Sequence, residues 1–155
     1  MPRPSAWIVL KFGGTSVSTL ANWTNIARVA AARSAGGARV LIVHSALTGI
    51  TDRLERLLDA ATGEAQEHEL RAIEERHRGL ASELGVTLGD EIERELAELR
   101  QIAASIARAG EVSDRSRARV MAAGELMATH IGVRFLRSRG LEVAWADARD
   151  RKSVV

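Results

Sequence analysis

The sequence predicts an α/β protein built on a parallel sheet, and three observations carry that prediction. Short apolar runs at Trp7 to Phe12, Arg39 to Val43 and Leu141 to Ala146 have the length of buried strands, and helical sequence separates each from the next. With 155 residues, 46% hydrophobic and 27% charged, the chain can bury one real core, and no linker composition divides it. The first run ends in Lys11-Phe12-Gly13-Gly14-Thr15-Ser16-Val17. A lysine and two glycines then stand beyond the carboxyl end of a strand, where open parallel sheets collect ligands.

The elements follow in order. After the first strand, Leu20 to Ser34 carries Ile26, Val29 and Ala30 at helical spacing and stops at Gly36-Gly37. The second strand follows, with Ser45 just past its end. From Asp52 to about Ala61, Leu54, Leu57 and Leu58 predict a helix that breaks near Gly63. Two longer charged helices come next, Glu64 to Leu84 and Asp90 to Ala109, joined by the Gly85 to Gly89 turn. In the second, Ile92, Leu96, Leu99, Ala103 and Ile106 form one apolar stripe, while the Glu- and Arg-rich faces are read as solvated. His68 and His77 fall in this charged pattern and are expected in solvent; His130 is expected in helix packing. Arg115 to Arg139 predicts more helix, interrupted or re-entered at Gly124, and Gly140 caps it before the third strand.

Composition narrows the function. The net charge is only +2, and basic residues are interleaved with acids. The sequence pI near 9.9 therefore reflects arginine content and does not mark a nucleic-acid face. Three Trp, two Phe and no Tyr leave little surface for stacking bases. There is no cysteine, which excludes disulfides, thiolate metal sites and cysteine nucleophiles, and the four histidines show no metal spacing. No apolar run reaches the roughly 18 residues that cross a bilayer, and the first residues lack a signal core, so a cytoplasmic protein with no membrane partner is expected.

The glycine turn has the chemistry of a phosphate site. Glycines let successive backbone N–H groups approach anionic oxygens, and Lys11 adds a compact positive charge. The spacing fits neither Gly-x-x-x-x-Gly-Lys-Ser/Thr nor Gly-x-Gly-x-x-Gly. Ser45 and Thr51 place hydroxyls on a loop entering a helix, whose N-terminal amides suit an anion, although Thr51 also suits a cap. Glu125 offers a carboxylate, with helix-dipole stabilisation in a first turn as its structural alternative.

The Lys11–Val17 string resembles the N-terminal signature of aspartate kinases in the amino-acid kinase family. Two further segments agree, Val43-His44-Ser45-Ala46-Leu47-Thr48-Gly49-Ile50-Thr51-Asp52-Arg53-Leu54 and Met121-Ala122-Ala123-Gly124-Glu125-Leu126-Met127-Ala128-Thr129, in the family's order. Ala144-Trp145-Ala146-Asp147-Ala148-Arg149 is similar to the strand and Asp-x-Arg that come next. The resemblance implies the carbamate kinase-like parallel-sheet fold, its N-terminal portion, with helices around the sheet and a helical excursion. It implies ATP-dependent phosphorylation of the L-aspartate β-carboxylate to 4-phosphoaspartate, for lysine, threonine and methionine synthesis. Lys11 would sit at the transferring phosphate, Gly13, Gly14, Thr15 and Ser16 around the phosphates of ATP, and Ser45, Thr51 and Glu125 at the amino acid, Glu125 holding its ammonium. Mg2+ would accompany ATP without protein ligands.

The resemblance spans the chain while the chain covers part of the family, so residues 1–155 are expected to be the amino-acid-binding portion, without the nucleotide half and the regulatory ACT domains. It is compatible with a piece of a longer or bifunctional enzyme, inactive alone. Another member of the family, such as an acetylglutamate or uridylate kinase, and a non-catalytic amino-acid-binding module remain alternatives. An incomplete sheet leaves unpaired edges, so a homo-oligomer is expected.

Overall fold

The computed structural model describes residues 6–60 and 63–149. Arg151 to Val155, read from sequence as the stretch past a third strand, lie outside the described residues. Strands β1 (Trp7–Phe12) and β2 (Arg39–His44) pair in parallel, in register from Trp7 opposite Arg39 to Phe12 opposite His44. Helix α1 (Leu20–Ala35) connects them. It begins where the Thr19 hydroxyl accepts from the Asn22 amide and ends at Gly36. A short 3-10 turn, Gly14–Val17, sits between β1 and α1. Four helices complete the fold: α2 (Ile50–Asp59), α3 (Gly63–Glu83), α4 (Asp90–Ala109) and α5 (Asp114–Ser138).

The core lies mainly among the helices, and Phe12 and Ile42 of the strand pair pack against it. The apolar stripe anticipated on α4 is buried at all five positions, and Leu54, Leu57 and Leu58 of α2 and Ile73 and Leu80 of α3 meet it. Burial of such side chains contributes about 1.5–3 kcal/mol each. Ion pairs stitch the helix surfaces, among them Arg53 and Arg56 with Glu69 and Arg119 with Glu95. Glu69 is 8% exposed and holds two arginines, so losing its partners would leave a poorly solvated charge.

Trp23 organises the sheet side of the core. It is 1% exposed, its Nε1–H donates to the Val17 carbonyl at 2.8 Å, and its ring stands edge-on to His44 and Phe135. It fits because α5 carries Gly132, where a Cβ would stand 2.2 Å from the indole.

The structure corrects three sequence expectations. Leu141–Ala146 keeps strand-like alternation, with Leu141, Val143 and Trp145 half-buried, yet pairs with no strand among the described residues. It is tied to α5 instead. Arg137 donates to the Val143 carbonyl at 2.9 and 2.7 Å, and the Trp145 indole N–H donates to the Thr129 hydroxyl at 3.0 Å. Helix α5 is continuous through Gly124, so this glycine does not re-enter a helix. It marks close packing, since a Cβ there would lie 2.9 Å from Ala46 and 3.0 Å from Ile50. His77 is fully buried, not solvated. Its Nδ1–H donates to the Ile73 carbonyl at 2.7 Å, while Nε2 has no partner among the described residues. Desolvation therefore holds its pKa down to about 4, against the raising effect of that hydrogen bond and with nearby Arg76 adding to the depression.

Two outcomes follow from this packing. The unfolded chain takes up a proton at His77 near pH 6.5, whereas the folded chain resists until about pH 4, so its contribution is complete above pH 6.5 and is lost as pH falls through that window. Chemical unfolding at pH 7 and pH 5 should show that His77→Leu removes about 2 kcal/mol of the pH-dependent loss. His44 and His130 are depressed in the same direction, so the difference between the two proteins is the readout. Gly132→Ala should lose about 1–3 kcal/mol by overpacking Trp23, despite alanine's better helix propensity. Equal or greater stability would contradict the notch.

Candidate functional site

The site grows from the carboxyl ends of the parallel pair. Sequence alternation puts Ile8, Leu10 and Phe12 toward the helices and leaves Lys11 exposed on the other face, opposite Val43. His44, next in β2, turns inward and is 9% exposed. Beyond the strands two loops meet. The Ser45 amide continues the ladder by donating to the Phe12 carbonyl at 3.1 Å, and the Ser16 amide closes the glycine turn on the Gly13 carbonyl at 3.0 Å.

Gly14 is where the loops touch. A Cβ there would stand 2.8 Å from the Ala46 carbonyl oxygen and 3.3 Å from the Thr48 amide, so any larger residue would push the loops apart. Gly13 has open space around its Cβ position. Ser18, a residue the sequence reading did not select, bonds to both loops. Its hydroxyl donates to the Gly14 carbonyl at 2.6 Å and accepts from the Thr48 amide at 3.0 Å. Asn22 of α1 donates to the Thr15 carbonyl at 2.9 Å, leaving the exposed Thr15 side chain at the mouth of the turn.

Gly49, at φ +80°, turns the second loop into α2, a conformation that suits glycine. It is also the N-cap, with no side-chain hydrogen bond, so Thr51 does not cap the helix. Its side chain stays exposed in the first turn. Glu125 is likewise not in a first turn, because α5 begins at Asp114. It is exposed on the middle of α5, beside the Gly124 contact with Ala46 and Ile50, and near enough to His44 to act on its charge. Burial pushes the His44 pKa down; the hydrogen bond with the Ser45 carbonyl at 3.0 Å and the Glu125 carboxylate oppose that. His44 is thus neutral at pH 7, and the exposed Glu125 side chain stands beside a hydroxyl-bearing loop.

The structure brings together the glycine turn, the Ser45–Thr51 loop and the Glu125 segment of α5. It does not join Lys11 to Glu125: among the described residues neither side chain makes a hydrogen bond or ion pair, and Lys11 is exposed on the sheet face that carries Val43. Arg149 chelates Asp147 through Nε and Nη2 at 2.9 and 2.6 Å, which holds that carboxyl at about 2. A recess of about 770 Å3 lies away from the glycine turn, lined by Glu91, His130, Arg134, Arg137 and Trp145. Its arginines are already satisfied by Glu91 and the Val143 carbonyl, which leaves it little unspent polarity for a ligand.

The signal for Ser18 and Thr48 was present in sequence only as hydroxyl residues beside glycines; their pairing spans two strands and needs the fold. The contrast between the glycines is testable. Gly14→Ala should lose about 1–3 kcal/mol in denaturant unfolding, whereas Gly13→Ala should stay within about 1 kcal/mol of the parent. Equal effects would show that the loops are not in contact at Gly14.

Comparisons with known proteins agree with this geometry. The model of the amino acid kinase family matches residues 6–154. Bifunctional aspartokinase/homoserine dehydrogenase 1 of Arabidopsis thaliana is 30% identical over 97% of this chain, and an aspartokinase of Candida albicans is 30% identical over 93% of it. The chain spans 17% of the plant enzyme and 28% of the yeast one. Escherichia coli aspartokinase III in complex with aspartate and ADP superposes with a TM-score of 0.80 at 30% identity, covering 95% of this chain and 33% of that one. Its complex with lysine and aspartate superposes at 0.75, covering 88% and 30%. A family model that matches residues 6–154, nearly the whole chain, makes this chain a member of the amino acid kinase family.

Proposed function

We propose that this chain is the N-terminal, amino-acid-binding portion of an ATP-dependent aspartate kinase. The observation that carries the reading is the pair of interlocked loops at the carboxyl end of β1 and β2, with Glu125 beside them, in a chain 30% identical to aspartokinases. The α-ammonium of L-aspartate meets the Glu125 carboxylate, and the Ser45 and Thr51 hydroxyls face its carboxylates. A β-carboxylate oxygen attacks the γ-phosphorus of ATP, the bond to the bridging oxygen breaks, and ADP leaves with that electron pair. Such transfer asks mainly for positioning and charge neutralisation. Lys11, with the amides of Gly13 and Gly14 and the hydroxyls of Thr15 and Ser16, supplies both on the phosphate side.

Among the described residues no three His, Cys, Asp or Glu side chains gather in a way that could hold a metal ion. Mg2+ on this reading arrives on the nucleotide phosphates. The reading includes a role in lysine, threonine and methionine synthesis and a cytoplasmic setting. No helix among the described residues is long and apolar enough to cross a membrane. Self-association belongs to it as well. Trp7, Val9, Leu41 and Val43 form an exposed apolar face on the strand pair, 42–60% accessible, of the kind that a second surface covers.

Calorimetry with L-aspartate tests the acceptor site. Saturable binding should weaken by about tenfold or more in Glu125→Gln, from the loss of a charge-assisted hydrogen bond worth about 1.5–3 kcal/mol. Affinity for ATP should not change. Absence of any aspartate binding by the folded chain would overturn the reading. With ATP and magnesium added, aspartate-dependent ADP that disappears in Lys11→Ala would show that these residues suffice for transfer. Binding without ADP would make the chain an acceptor-binding module.

A further inference from the structure

We infer that Ser18 is a positioning residue that locks the phosphate turn to the acceptor loop; its role in transfer rests on the kinase reading above, its bridging geometry does not. A serine hydroxyl has one proton to donate and two lone pairs to accept. Here the proton and one lone pair are used across the gap between the loops. The proton is directed at the Gly14 carbonyl at 2.6 Å, with Thr48 Oγ1 a second, longer acceptor at 3.2 Å, and the Thr48 amide donates to the oxygen at 3.0 Å. Ser18 is 8% exposed, so water competes poorly for these bonds.

The helical excursion supports the same residue. Arg76 of α3 donates to the Ser18 carbonyl at 3.0 Å, and Glu83, near the end of α3, accepts from the Leu20 amide at 2.9 Å. Ser18 is thus held from behind on its backbone while its side chain spans the loops in front. Helix α3 steadies the residue that joins the two loops. Donor and acceptor groups on separate loops must keep one spacing for in-line transfer, and a displacement of about 1 Å costs roughly a hundredfold in rate. A hydroxyl bonded to both loops sets that spacing before any ligand arrives.

Amide exchange followed by NMR on the full chain tests the bridge without a ligand. Ser18→Ala should accelerate exchange of the Thr48 N–H by about tenfold or more, while the Ile131 and Phe135 amides in the core keep their rates. Ser18→Thr, which restores the hydroxyl, should return Thr48 to near the parent rate. If Ser18→Ala does not fold, Ser18→Cys keeps the volume with a weakly bonding thiol and serves the same comparison. An unchanged Thr48 rate in either folded variant would overturn the proposal.

A titration with inorganic triphosphate then separates positioning from simple stabilisation. In the parent, signals of Gly13 to Ser16 should shift together with those of Ser45 and Thr48. In Ser18→Ala the glycine turn should still respond while Ser45 and Thr48 do not. The same response of both loops in both proteins would contradict coupling through Ser18. A parent glycine turn that ignores triphosphate would sink the phosphate reading instead, and the exchange rates would still decide the bridge.

Discussion

The rest of the structure depends on the seating of Trp23. Its indole N–H holds the Val17 carbonyl at the end of the 3-10 turn, and its ring meets His44 at the end of β2 and Phe135 on α5. One side chain therefore fixes three elements that have no sequence proximity. A buried indole needs both a partner for its N–H and space for its ring. Val17 supplies the first and Gly132 the second. With that contact made, the glycine turn, the strand end and α5 have one relative arrangement, and the loops that carry the candidate site inherit it.

Above that anchor the site is assembled by small residues and hydroxyls. Gly14 lets two backbones approach, Gly124 lets α5 approach the second loop, and Ser18 fastens the two loops together. Charge is kept to the periphery. Lys11 and Glu125 are exposed and unpaired by each other, while His44, near Glu125, is held neutral by burial. Groups that are not committed to internal ion pairs are free to meet an ammonium and a phosphate. The contrast with Arg149, closed on Asp147, and Arg134, closed on Glu91, is physical: those guanidiniums have their partners already.

The strand-helix-strand unit was legible because β1 and β2 are short apolar runs bounded by glycines, and the α4 stripe because its period is helical. Leu141–Ala146 has the same apolar content as a strand, but pairing is a property of neighbours, and Arg137 and Thr129 hold the segment instead. Gly124 reads as a break because glycine lowers helix propensity; tertiary contact with Ala46 and Ile50 overrides that here. His77 lies among charged residues in sequence, while the burial period of α3 puts it on the inner face with Ile73 and Leu80. The family strings pointed to Lys11, Ser45, Thr51 and Glu125 by resemblance, and the structure places the last three around one loop and helix. Ser18 was invisible because its partners sit 4 and 30 residues away.

A crystal structure of this chain grown with L-aspartate tests the central claim most directly. Aspartate is expected at the carboxyl end of β2, its ammonium within hydrogen-bond distance of the Glu125 carboxylate and its carboxylates near the Ser45 and Thr51 hydroxyls. Aspartate seated instead in the recess beside His130 and Trp145, with the Ser45 to Thr51 loop empty, would contradict it.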